Sequence, residues 1–133
     1  KESVVHKMFN DLNLEDLSNN FLTAKPYPHL VIQDFFDEQL INNAVSEFPE
    51  HDQWNSSSWG KINQDLQHKY CYNKLDLLSK SPDSIQKILS TLISNEFVQF
   101  LEKVTGETNL YADSEFHGGG IHQIPTGGNW VCI

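Results

Sequence analysis

The sequence predicts an α+β domain, with helices first and then the beginning of a β-rich region. Two observations predict the helices. Apolar residues recur at helical spacing at Leu40, Ile41, Ala44, Val45 and Phe48, and again from Ile85 to Val104. Capping residues flank those stripes at Asp37, Ser81, Ser94 and Gly106. A third observation predicts the strands: beyond Asn109 the chain changes to short aromatic and apolar runs, separated by Gly118-Gly119-Gly120. At 133 residues and 38% hydrophobic content, we expect a single domain over residues 1–133 with a core of its own.

The elements follow in order. Val4 to Leu22 begins with helical spacing, and Asn10, Asn13, Asn19 and Asn20 interrupt it, so short helices with turns are expected. Pro26 and Pro28 break the chain and push their predecessors into extended geometry. His29 to Phe36 is short, apolar and β-branched at its centre, which predicts a strand. Asp37 then caps a helix that Pro49 helps to end. Residues 50–69 are polar and irregular, with Trp54, Trp59, serines at 56–58 and Gly60, and read as a long loop or lid. Tyr70 to Leu75 reads as a short strand. Ser81-Pro82-Asp83 opens a helix with the stripe Ile85, Ile88, Leu89, Leu92, Ile93. Ser94 caps a second piece with Phe97, Phe100, Leu101 and Val104, and Gly106 supplies a left-handed end. Leu110 to Phe116 and Ile121 to Ile124 are expected as strands on either side of the glycine triplet.

Charge excludes several functions. The formal net charge is −9, from 18 acidic and 9 basic side chains. Such a surface repels phosphate backbones and anionic lipid, so neither nucleic acid nor membrane is an expected partner. No apolar run approaches the roughly 20 residues of a membrane span. The segment Lys1 to His6 has no signal-peptide core and no initiator Met, which fits a chain starting inside a longer reading frame. Cys71 and Cys132 lie far apart and form no disulfide framework, so we expect reduced thiols and a cytoplasmic location.

Four segments together carry a resemblance. They are Pro26 to Phe36, the helix ending in Glu47-Phe48-Pro49, the helix closing with Phe100 to Gly106, and the run from Gly118 to Gly128. In this order, over roughly residues 20–133, they resemble the prolyl-4-hydroxylase-like branch of the Fe(II)/2-oxoglutarate-dependent dioxygenases. The resemblance implies helices packed on the first strands of a double-stranded β-helix, or jelly roll, here incomplete. It implies Fe(II) held by two histidines and one acidic residue, which leave positions open for 2-oxoglutarate and oxygen. The family couples decarboxylation of 2-oxoglutarate to succinate and CO2 with hydroxylation of a C–H bond, here of a peptidyl, prolyl or small-molecule substrate. By the same alignment His122 falls where many relatives carry Arg, and Ile124 where many carry a Tyr near the cosubstrate.

The sequence departs from the family at its chemistry. Counted from Gly127, the first iron ligand falls at Ile133; counted from Gly128, it falls one position further. His51-Asp52 is adjacent rather than spaced, and no His-x-Asp occurs in the 133 residues. The second His and the base that pairs with 2-oxoglutarate would lie further on. We therefore expect no catalytic or metal-binding residue in this chain and no bound Fe(II) or 2-oxoglutarate. A truncated product or partial reading frame, a frameshift at Asn129 to Ile133, and a shortened homologue with a different role all remain open, the first two preferred.

Other candidates are weighed against plainer roles. His6, His29, His51, His68, His117 and His122 show no close ligand pairing. His117 and His122 with Asp113 or Glu115 form a candidate zinc set, but ordinary hydrogen bonding is the better account. The glycine triplet precedes no helix N-terminus or Lys-Ser/Thr pair, so backbone crowding at a turn explains it better than a phosphate cradle. Trp54, Trp59, Tyr70 and Tyr72 suit lid and core packing better than a substrate groove. Asp11, Glu15 and Asp16 read as a solvated helix face. Asp113 and Glu115 alternate on the expected strand, which is no evidence of acid–base pairing.

The expectation is thus a fragment or truncated homologue of a 2-oxoglutarate dioxygenase, inactive as it stands. The alternative is a non-catalytic interaction module. An incomplete sheet exposes strand edges, which invite self-association.

Overall fold

The computed structural model describes residues 12–48, 60–62, 69–72, 77–116, 120–124 and 126, with the backbone alone for 60–62, 69–72 and 77. Outside them lie the start of the N-terminal segment, Pro49, Trp54, Trp59, most of the 50–69 loop and Asn73 to Leu75. His6, Asp11, His51, His68, His117, Gly118, Gly119, Cys132 and Ile133 lie outside as well.

Five helices dominate the described residues: α1 (Leu14–Thr23), α2 (Glu38–Glu47), α3 (Leu77–Lys80), α4 (Asp83–Leu92) and α5 (Asn95–Thr105). Among the described residues, strand is confined to β1 (Gly60–Ile62), β2 (Lys69–Tyr72) and β3 (Ile121–Gln123), an antiparallel ribbon in the order β1-β2-β3. This overturns the expectation of helices packed on the first strands of a jelly roll, a fold of eight strands in two sheets. The physical reason lies in two segments expected to be extended. In His29 to Phe36, residues 33 and 34 form a turn and Asp34 takes φ +50°. In Leu110 to Phe116, Asn109 and Phe116 take φ +61° and +55°, and the Phe116 amide donates to the Asp113 carbonyl at 3.2 Å. Asn and Asp tolerate left-handed geometry and so favour turns over β-branched content nearby.

Capping explains the helix boundaries. Asn13, read as an interruption, is instead the N-cap of α1: its Oδ1 accepts from the Asp16 amide at 3.3 Å and its Nδ2 donates to Asp16 Oδ2 at 2.6 Å. Asn19 and Asn20 lie inside α1. Asp37 caps α2 by accepting from the Leu40 amide at 3.1 Å, and Ser94 caps α5 by accepting from Phe97 at 3.1 Å, both as the sequence predicts. Gly106 ends α5 at φ +78°.

The start of α4 differs. Pro82 occupies the cap position, where its side chain makes no capping bond, and Ser81 is buried beside it. The missing acceptor comes from another helix: Glu47 Oε2, at the end of α2, accepts from the Ser84 amide at 3.0 Å. A carboxylate there also meets the positive end of the α4 dipole.

The core joins helices to ribbon. Ala44 of α2, Ile85 of α4, Phe116 and Ile121 of β3 are buried together, with Leu78, Ile88, Leu89 and Ile93 against them. A second cluster lies on α5, where Phe100 and Val104 are buried. Phe35 packs on it, with its ring 6.0 Å from Phe97 and 6.1 Å from Phe100. Helix α1 packs along α5, and α2 along α4.

Candidate functional site

The sequence singles out His122 and Ile124, and the structure places both at the outer strand of the ribbon. β3 pairs antiparallel with β2 in the register Tyr72↔Ile121, Cys71↔His122 and Tyr70↔Gln123. Residues two apart on a strand share a face, so Ile121 and Gln123 point one way and His122 the other. Ile121 is buried in the core, whereas His122 is exposed. Ile124 follows the strand and is 37% exposed.

Glycine leads into this strand. Gly120 takes φ +143°, a conformation that side chains disfavour, while Gly118 and Gly119 lie outside the described residues. Before the triplet, Phe116 turns the chain at φ +55° and anchors it by burying its ring among Ala44, Ile85 and Ile121. The preceding loop is tied to α5, where Glu102 Oε1 accepts from the Leu110 amide at 3.0 Å.

The described donors do not fit Fe(II). Among the described residues, no three of His, Cys, Asp and Glu gather as a metal site. Asp113 and Glu115 are exposed on a turn, not alternating on a strand. His29 is exposed, and its Nδ1 lies 2.9 Å from the Tyr27 carbonyl oxygen. Glu15 and Asp16 are exposed in the first turn of α1, consistent with a solvated face. Among the described residues no helix is long and apolar enough to cross a membrane.

No family model, curated protein or solved structure matches this chain.

Two features escaped the sequence reading. The Glu47–Ser84 bond joins residues from separate helices and has no local signature. A cleft at the start of α2, lined by Asp34, Phe35, Phe36, Asp37, Glu38 and Ile41, arises because the expected strand His29 to Phe36 turns instead. The acidic and aromatic alternation around Phe35-Phe36 was the available signal.

Proposed function

We propose that this chain is part of an Fe(II)/2-oxoglutarate-dependent dioxygenase of the prolyl-4-hydroxylase-like branch. It supplies the helical layer and a strand that borders the cosubstrate, in a protein that hydroxylates a peptidyl, prolyl or small-molecule substrate. The order of the four resembling segments supports this reading. The observation that carries it is the exposed His122–Ile124 side of β3, which follows Gly120 at positive φ and is backed by the core through Ile121. His122 lies on the exposed face of β3, and burial of Ile121 fixes which way it faces. The widely spaced Cys71 and Cys132 suit a reducing, cytoplasmic setting.

The 133 residues alone contain no His-x-Asp and are expected to bind no Fe(II) and to turn over no 2-oxoglutarate. Incubation with Fe(II), ascorbate and 2-oxoglutarate should release no succinate above the protein-free rate; robust release would overturn this part of the reading. The family assignment is tested separately, by the coding sequence downstream of residue 133. A His-x-Asp within a few codons, in any frame, is expected, and its absence would overturn the assignment.

A second reading has its own observation. β3 stands at one end of the described ribbon, and an incomplete sheet invites strand pairing with another chain. On this reading the chain is a non-catalytic module that self-associates by strand pairing. Light scattering after size exclusion should then show a dimer or larger at micromolar concentration, and a monomer would refute it.

A further inference from the structure

The cleft at the start of α2 is an open groove of about 690 Å³. Six of the described residues line it: Asp34, Phe35, Phe36, Asp37, Glu38 and Ile41. Three are carboxylates, three are apolar, and no Lys, Arg or His is among them. The aromatic wall is already in place. The rings of Phe35 and Phe36 meet edge-to-face at 5.0 Å, and Phe35 is held against Phe97 and Phe100 of α5.

An apolar track leads out of the cleft. Ile41, Val45 and Phe48 recur at spacings of four and three along α2 and are 38%, 71% and 39% exposed. Ala44, next to them on the same face of the helix, is the residue α2 buries in the core. The exposed stripe is therefore the uncovered flank of the same apolar face, and it meets the cleft at Ile41.

We propose that the cleft and this track dock a basic amphipathic segment of a partner protein. Its Lys or Arg head sits among Asp34, Asp37 and Glu38, and its apolar side chains lie on Phe36, Ile41 and Val45. Charge complementarity selects this occupant. The lining presents three carboxylates to a groove with apolar walls, which favours a cation, and the rings add a cation–π contribution. A chain of net charge −9 repels an acidic peptide at long range. Asp37 also caps α2 through the Leu40 amide, so part of its charge already serves the helix, and Asp34 and Glu38 carry most of the recognition. The inference is independent of the dioxygenase reading, since it uses no residue of β3.

Fluorescence anisotropy with the 133-residue chain tests it. The probes are two labelled peptides of equal length, one alternating Lys and Leu, the other Glu and Leu. The Lys peptide should bind at micromolar concentration, and at least about tenfold more tightly than the Glu peptide. Its binding should weaken as salt rises from about 50 to 300 mM, because exposed charges are screened. The double variant Asp34→Asn/Glu38→Gln should weaken it about tenfold, about threefold per exposed charge, with an unchanged circular dichroism spectrum. The double variant Glu15→Gln/Glu107→Gln alters net charge equally but away from the cleft, and should leave binding within about twofold. Equal binding of both peptides, no binding of the Lys peptide, or equal loss in the two double variants would each overturn the proposal.

Discussion

Adjacent residues of β3 should differ sharply in what they contribute to stability, and that difference tests the strand register. Ile121 is 8% exposed and packs with Ala44, Ile85 and Phe116, whereas His122 is exposed. Ile121→Ala removes about three buried carbon groups, which at about 0.8 kcal/mol each is about 2.4 kcal/mol of transfer free energy. The cavity left behind adds to this, giving about 3–4 kcal/mol in all. His122→Ala removes an exposed side chain and should change stability by less than about 0.5 kcal/mol. A domain of this size has about 5–15 kcal/mol in total, so both variants should fold. Urea unfolding followed by circular dichroism measures the two, and Ile121→Val should fall between them at about 1 kcal/mol. A one-residue slip in the pairing of β3 would turn His122 inward and Ile121 outward. The reasoning is refuted if His122→Ala costs as much as Ile121→Ala.

Three further substitutions probe the helical layer by the same urea assay. Glu47→Ala should cost about 1 kcal/mol by removing the acceptor for the Ser84 amide, and an unchanged midpoint would mean that the α4 terminus is capped otherwise. Gly106→Ala should cost about 1 kcal/mol through backbone strain alone, since a Cβ there would meet nothing within 4 Å. Gly106→Asn should cost less. Phe100→Ala, at a site 5% exposed and in ring contact with Phe35 and Phe97, should cost about 3–5 kcal/mol and should also loosen the wall of the acidic cleft.

Helices α2, α4 and α5 were legible in the sequence because their signals are local. Asp37, Ser94 and Gly106 each act within four residues of the helix end they fix, and the stripes of α2, α4 and α5 repeat within a few turns. Strand β3 was legible as a short run after the glycine triplet, and its neighbour β2 by the run at Tyr70 to Tyr72. The remaining expected strands failed for a reason of scale. His29 to Phe36 has β-branched content, but a single positive φ at Asp34 suffices to turn the chain, and propensity alone does not reveal it. Ser81 looked like the cap of α4, yet it is buried, and the acceptor reaches Ser84 from Glu47, which is distant in sequence. Of the candidate site, the exposure of His122 followed from strand alternation once Ile121 was buried, whereas the cleft required the failed strand.

Helix α2 carries three separate duties within ten residues, and their segregation explains its composition. Its N-terminal turn holds the charge: Asp37 caps and Glu38 lines the cleft, both where the helix dipole favours carboxylates. Its middle places Ala44 in the core against Ile85 and Ile121. A small residue there lets α2 approach α4 closely, and that approach brings Glu47 within 3.0 Å of the Ser84 amide. A larger side chain at Ala44 would overpack the core and separate the two helices together. Ile41 and Val45 fall outside that contact, which is why apolar residues on this helix are exposed although the core is adjacent. The acidic cleft and the His122 strand are therefore joined through one rigid element that touches both. Each is free to vary at its own surface only so long as Ala44 and Glu47 hold α2 in place.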